Sequence, residues 1–257
     1  MSTKRSAMNH DIEKGALSEE LHASSSSSLT RYRKKVLGGH AGILHLVQYE
    51  LANLFCMNLG GGMGYLIRRW MLSSLFEECG QGVILGKGLM IRKPGQIKIG
   101  SQVAIDDSTL LDGGFEQETA ITLGSGSMIS KGCVMQAKTR PLSMGKNCDI
   151  GAHTILSSVG GIILGESVLV AGNCYIGGGR YHTEDLETPI MHQGLYSRGP
   201  VMIGDNTWIG ASVTILDGVR IGRGCVIGAG SLVTRDIPDY AVAIGSPAQV
   251  VRHRVRE

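Results

Sequence analysis

IGDNTWIGASVTILDGVRIGRGCVIGAGSLV, the stretch from Ile203 to Val233, decides the fold. An aliphatic residue returns at every sixth position (Ile203, Ile209, Ile215, Ile221, Ile227, Val233), and glycine follows it at 204, 210, 222 and 228. One phase held over five successive intervals is an internal repeat. Outward from this stretch the same step recurs in shorter runs: Leu85 and Ile91; Ile99 and Ile105; Leu123, Ile129 and Met135; Met144, Ile150 and Leu156; Leu164, Val170 and Ile176.

The physical content of a six-residue step is a short strand and a turn. The aliphatic residue points inward, and so does the position two before it, where there is less room. Those second positions read Val103, Cys133, Cys148, Thr154, Val168, Cys174, Thr207, Val213, Val219, Cys225 and Ser231, all small or β-branched. Four of the six cysteines thus read as small buried hydrophobes rather than nucleophiles or metal ligands. Three strand-turn units close a coil of about eighteen residues, and stacked coils satisfy each other's backbone groups as a parallel β-helix. Roughly seven coils fit between 83 and 235. The 38 glycines suit a wall with many corners.

The remainder of the chain reads differently. Residues 1–30 are polar, carry SSSSS at 24–28 and show no apolar period, which predicts a disordered tail. Residues 36–77 are apolar at helical spacing on either side of GGGMG, with Leu44, Val47, Leu51, Leu54 and Phe55 before it and Leu66, Ile67, Trp70, Met71 and Leu75 after it. Two amphipathic helices capping the open end of the β-helix are expected, with peripheral membrane contact through 36–76 as the alternative, since Arg68, Arg69 and Trp70 suit an interface. The uncharged run Leu51–Ile67 holds two asparagines and four glycines and is too short for a span, which needs about 20 apolar residues. The β-helix is assigned to 83–236 and a C-terminal segment to 237–257.

A formal charge of +3 without a basic stripe argues against a nucleic-acid binder. Six cysteines without a CxxC pair, and no apolar run before a small-residue cleavage site, predict a reduced, cytoplasmic setting, peripheral at the inner membrane face if 36–76 makes contact. No metal site is expected.

The rhythm stops between Ile176 and Ile203. The gap, 177–200, carries His182, His192, Glu184, Asp185 and Glu187. An imidazole can take a proton from a hydroxyl at neutral pH, so a loop histidine here is a candidate general base, although RYHTED is polar enough for a plain solvated loop.

The run IGDNTWIGASVTILDGVRIGRGCVIGAGSLVTRDIPDYAVAIGSPAQVVR, 203–252, together with YELANLF, GYLIRRWM and GKGLMIRKPGQIKIGSQVAIDD, resembles the hexapeptide-repeat acyltransferases, similar to galactoside, maltose and surface-polysaccharide O-acetyltransferases. The resemblance implies a left-handed parallel β-helix and an acetyl-CoA-dependent transferase acting on a saccharide or small hydroxylated acceptor, with polysaccharide biosynthesis as a setting. It also implies a homotrimer whose sites lie between subunits. By resemblance 177–200 is the active-site loop and His182 the catalytic base; Glu184 and Asp185 both stand as candidates to orient it. Trp208, Ala211, Ala229, Thr234, Arg235 and Arg252 match donor-binding positions; Gln249 stands where a relative has arginine, with Arg254 as a substitute. His153 falls where related enzymes present asparagine and His192 shares the loop; both read first as surface residues. An N-acetyltransferase of an amino sugar and a non-catalytic scaffold are the rival readings, and a zinc carbonic anhydrase on a similar β-helix ranks below them because no close second histidine follows His182 or His192.

Overall fold

The computed structural model describes residues 10–12, 27–38, 42–114 and 119–254. Three parallel sheets form the wall of a β-helix of about seven turns. Face one runs from Glu78–Cys79 to Arg220–Ile221, face two from Ile84–Leu85 to Ala241–Gly245, and face three from Met90–Arg92 to Leu232–Val233. The six-residue aliphatics stack in register: on face two Leu85, Ile105, Ile129, Ile150, Val170, Ile209 and Ile227 form one inward column, each almost wholly buried. Burying such a side chain is worth about 1.5–3 kcal/mol, so the period itself is the stabilising pattern.

The corners are unequal. Each connection from face one to face two, and from face two to face three, takes four residues in every coil. All variation falls at the corner from face three to face one, where the connections are 93–96, 113–120, 138–141, 159–161, 178–200 and 217–219. The expected eighteen-residue coil therefore holds only toward the C-terminal end, where Trp208 pairs with Val226; before it the register advances twenty residues or more, as from Ile84 to Ala104 and from Asp149 to Leu169, and the last step, from Val226 to Val242, takes sixteen. The long gap is the largest member of a series of excursions along one edge.

Six of the small inward positions share one task. Cys133, Cys148, Cys174 and Cys225 donate S–H bonds to the carbonyls of Gly151, Gly165, Gly210 and Pro238 at 3.0–3.2 Å, and the Thr154 and Thr207 hydroxyls do the same to Ala171 and Gly222. Each acceptor lies at a corner of the next coil, where a turning carbonyl lacks a ladder partner. Burial pushes all four thiols above the ordinary thiol range. His153 occupies a corner with φ 59° and is exposed.

The two helices expected over 36–77 are present as α2 (Ile43–Phe55) and α3 (Gly61–Leu72), and among the described residues a further one, α1 (Ser28–Leu37), precedes them. The helix α1 begins inside the expected polar tail because the Ser27 hydroxyl accepts the Thr30 N–H at 3.3 Å, Lys34 and Lys35 complement the last turn, and Val36 and Leu37 are buried. Within the rest of that tail, His10–Ile12 form a strand, and 1–9 and 13–26 lie outside the described residues. The GGGMG break is also partly helical, since α3 starts at Gly61. Gly64 is needed there: a Cβ would stand 2.1 Å from the Leu59 carbonyl oxygen. The cap is bound to the first coil by Arg68, 4% exposed, whose guanidinium donates to the carbonyls of Leu85, Cys56 and Leu59. Beside it Arg69 donates to Val83 O, and the Tyr49 hydroxyl donates to Ile91 O at 2.7 Å.

The wall does not end at 236. Ile237 bridges to Ile221, Ala241–Gly245 adds a parallel strand to face two, and Ala248–His253 folds back on it antiparallel. Among the described residues no helix is long and apolar enough to cross a membrane.

Candidate functional site

The loop leaves face three through Gly177 and Gly178, with φ of 100° and 91°. At Gly177 a Cβ would stand 2.4 Å from Ser157 O, so the wall below forces glycine at the exit. Arg180–Tyr181 then pairs antiparallel with Leu195–Ser197, which on its other side receives His10–Ile12. The hairpin is fastened to the wall by Asp217, 5% exposed. Its Oδ1 accepts from Arg180 Nε at 2.8 Å and its Oδ2 from the Arg198 N–H at 2.7 Å, so one carboxylate of the next coil holds both strands of the loop.

His182 follows the first strand of this anchored hairpin. Its N–H donates to Gly194 O at 3.1 Å, its ring lies 4.6 Å from the Tyr196 ring, and its Nδ1 is 3.7 Å from Glu184 Oε2. The Glu184 carboxylate is held below its usual range by backbone N–H donors, its own and that of Thr183, so it stays ionised beside the imidazole. Asp185 Oδ1, by contrast, accepts the N–H groups of Glu187 and Thr188 and stabilises the turn. Gln193 closes that turn by donating to the carbonyls of Asp185 and Thr188. His192 is exposed in the short 3₁₀ turn Ile190–His192. The tip also exposes Leu186 (93%), Ile190 and Met191.

The other expected positions lie on the wall. Trp208 is half exposed on the outside of face two and shares a cross-strand row with Val226, Val242 and Arg252. Ala211 and Ala229 are exposed at the corner between faces two and three, where the Gly230 N–H donates to Ala211 O. Thr234 and the exposed Arg235 follow the last strand of face three, at the corner from which the loop departs. One chain thus places Trp208, Ala211 and Ala229 along one edge of face three and His182, Thr234 and Arg235 along the opposite edge. Arg254 is committed to Gly224 O at 2.8 Å, and Gln249 is exposed opposite Ile244.

Asp217 was missed by sequence reasoning. Its signal was faint: a carboxylate between Leu216 and Gly218 in the most regular part of the repeat, where a three-residue corner leaves it beside the loop root. Among the described residues no group of three His, Cys, Asp or Glu side chains could hold a metal ion.

Two family models match the chain. Residues 200–235 match "Bacterial transferase hexapeptide (six repeats)" and residues 141–177 match "Hexapeptide repeat of succinyl-transferase", the two flanking the loop. The chain is 33% identical over 199 residues to "Probable acetyltransferase Rv3034c" of Mycobacterium tuberculosis, covering 74% of this chain and 58% of that protein. The chain spans about half the length of the curated relatives it matches. Among solved structures, AntD, an N-acyltransferase from Bacillus cereus in complex with dTDP and 3-hydroxybutyryl-CoA, shares the fold at a TM-score of 0.52 and 22% identity, over 73% of this chain and 89% of that one. A maltose O-acetyltransferase from Clostridium difficile 630 aligns at 25% identity and a TM-score of 0.42, over 82% and 87% of the two chains.

Proposed function

We propose an acyl transfer, and the premise is membership: the chain belongs to the hexapeptide-repeat acyltransferase family. In this reading the protein moves an acetyl group from acetyl-CoA to a hydroxyl of a saccharide acceptor. The observation that carries it is the setting of His182, whose Nδ1 faces an ionised carboxylate while its ring rests on Tyr196, at the head of a hairpin fastened by Asp217. A histidine merely solvated on a loop has no need of that framework.

The imidazole Nε2 takes the acceptor hydroxyl proton as the oxygen attacks the thioester carbonyl. The tetrahedral oxyanion collapses, the carbon–sulfur bond breaks, and the imidazolium returns the proton to the leaving thiolate. Glu184 stabilises the imidazolium between these steps, as the acid of a triad does. The buried thiols take no part, because burial disfavours their thiolates. For the donor, the Ala211 and Ala229 corner admits close approach of a pantetheine arm, Trp208 offers a flat apolar surface, and the exposed Arg235 and Arg252 are fitted to phosphates.

A homotrimer completes the site. His182 and the alanine edge stand on opposite margins of face three in one chain, so a neighbouring copy supplies the second half of the groove. The exposed Leu186, Ile190 and Met191 at the loop tip, and Ile155 and Tyr175 on the outside of face three, support that contact.

Calorimetry of acetyl-CoA binding to the wild-type protein, followed by a panel of sugar and amino-sugar acceptors with His182→Ala as control, tests the proposal. Micromolar binding and His182-dependent acetylation of a hydroxyl are expected. Acetylation confined to amines would replace the O-transfer reading by N-transfer, and absence of binding to any acyl-CoA would leave a scaffold.

A further inference from the structure

The helical cap buries one stripe and leaves another bare. In α2 the side chains of Leu46, Tyr49 and Ala52 face the first coil, while Leu44, Val47, Leu51 and Leu54, one helical stripe, stay exposed at 42–79%. In α3, Gly64, Arg68 and Leu72 are buried, and Leu66 and Trp70 point outward at 60% and 79%. A shallow groove of about 330 Å³ along α2 is lined by Leu46, Val47, Leu51, Leu54 and the single acid Glu50. Contiguous apolar surface of this kind marks an interaction site on a water-soluble fold.

The charge around it identifies the occupant. Residues 28–76 hold six Lys or Arg against one acid, Glu50; Arg68 and Arg69 are committed to backbone carbonyls, and the other four, Arg31, Arg33, Lys34 and Lys35, lie on α1. The Glu50 carboxylate accepts the Tyr32 hydroxyl at 2.7 Å, which lays the cationic helix α1, with exposed Lys34 and Lys35, alongside the apolar groove. An apolar stripe bordered by lysines and carrying an exposed tryptophan matches the boundary between acyl chains and anionic headgroups. The helices, 13 and 12 residues long, lie on such a surface rather than cross it. A second protein copy would offer no reason for the charge excess.

We propose that α1–α3 form a docking face for the surface of an anionic phospholipid bilayer. This goes beyond the acyl-transfer reading and does not depend on it. The strands of the wall stack about 4.8 Å apart, so the loop, which leaves the fifth coil from the cap, would work about 20–25 Å above the headgroups.

The test is co-sedimentation of the full chain with phosphatidylcholine vesicles, with and without about one third phosphatidylglycerol. Binding to the anionic vesicles, weakened by salt and absent from the neutral ones, is expected. Lys34→Gln with Lys35→Gln lowers the partition several-fold, and Leu51→Ser with Leu54→Ser lowers it at least about tenfold while keeping the wild-type melting curve. In a Trp208→Phe background, Trp70 emission shifts to the blue on binding and is quenched by brominated lipid. Failure of the wild type to sediment with anionic vesicles would overturn the proposal, as would sedimentation indifferent to both variant pairs. A fall in oligomeric mass on Leu51→Ser with Leu54→Ser, without vesicle binding by the wild type, would show that a second copy covers the face.

Discussion

Between Ile203 and Val233 the backbone is held by coils above and below, in ladders such as Trp208 to Val226 and Thr214 to Leu232, over a core of methyl groups. Between Gly177 and Pro200 a short hairpin ladder is supplemented by side chains that occur once: Asp217 at the root, Glu184 and Asp185 in the middle, Gln193 at the tip. The wall is stabilised by what repeats, the loop by what occurs once. A repeat spreads its energy over many equivalent contacts and tolerates small changes, whereas a singular network fails with any one member. The chemistry proposed here sits on the singular part, with the wall as its mount.

This contrast can be broken deliberately. The largest effect is expected from His182→Ala, with acetyl transfer falling about 10²–10⁴-fold while thermal unfolding stays at the wild-type temperature; an equal loss of fold and activity would show the histidine to be structural. Next comes the wall itself. Ile215→Ala removes a wholly buried side chain from the middle of a column and costs about 2–5 kcal/mol in denaturant titration, and a value below that range would mean the coil closes over the gap.

Asp217→Asn separates the two regions most cleanly. It keeps the shape but weakens the hold on Arg180 and the Arg198 N–H, at about 1–3 kcal/mol. Limited proteolysis between Thr183 and Met191 is expected to quicken, and kcat/KM to fall, with the wall's hydrogen-exchange protection unchanged. Loss of protection throughout the coils would make Asp217 part of the wall.

The smallest effects belong to the inward cysteines. Because burial raises the pKa of Cys133, Cys148, Cys174 and Cys225, a thiol reagent near pH 8 is expected to reach them at the rate of unfolding, not before. Their contribution to stability is complete below the unfolded thiol pKa and is lost as pH rises through the raised folded values, since the unfolded chain ionises first. Cys174→Ala costs about 1 kcal/mol, the worth of one bond to Gly210 O plus slight packing, measured by the shift in unfolding midpoint.

Much of this architecture is legible in residue spacing, because a wall whose inward positions recur every six residues must repeat its residue types. Ile203 to Val233 show this directly, and so do the small positions from Val103 to Ser231, where limited volume restricts the choice to Val, Cys, Thr and Ser. Spacing does not reveal that every excursion shares one corner, since an insertion shifts the phase without saying on which side of the triangle it falls. Nor does it reveal α1: SLTRYRKKVL is too polar to show an apolar period, and its helix rests on a cap and on Val36 and Leu37. In the candidate site, the sequence singles out His182 through its place in the gap and the family resemblance, but it does not show that Glu184 lies beside the imidazole while Asp185 holds a turn, and Asp217 looked like any corner acid until the loop closed over it.

A parallel stack has no intrinsic end. Each face of such a wall offers the next chain an unpaired strand edge, and an unguarded column of coils is a template for filaments. Here the lower edge of face two gives the Leu85 and Val83 carbonyls to Arg68 and Arg69, and the upper edge is covered by Ala248–His253 running the opposite way. On face two the helical cap and the returning strand are in this sense length regulators: they close a ladder that could otherwise be extended without limit.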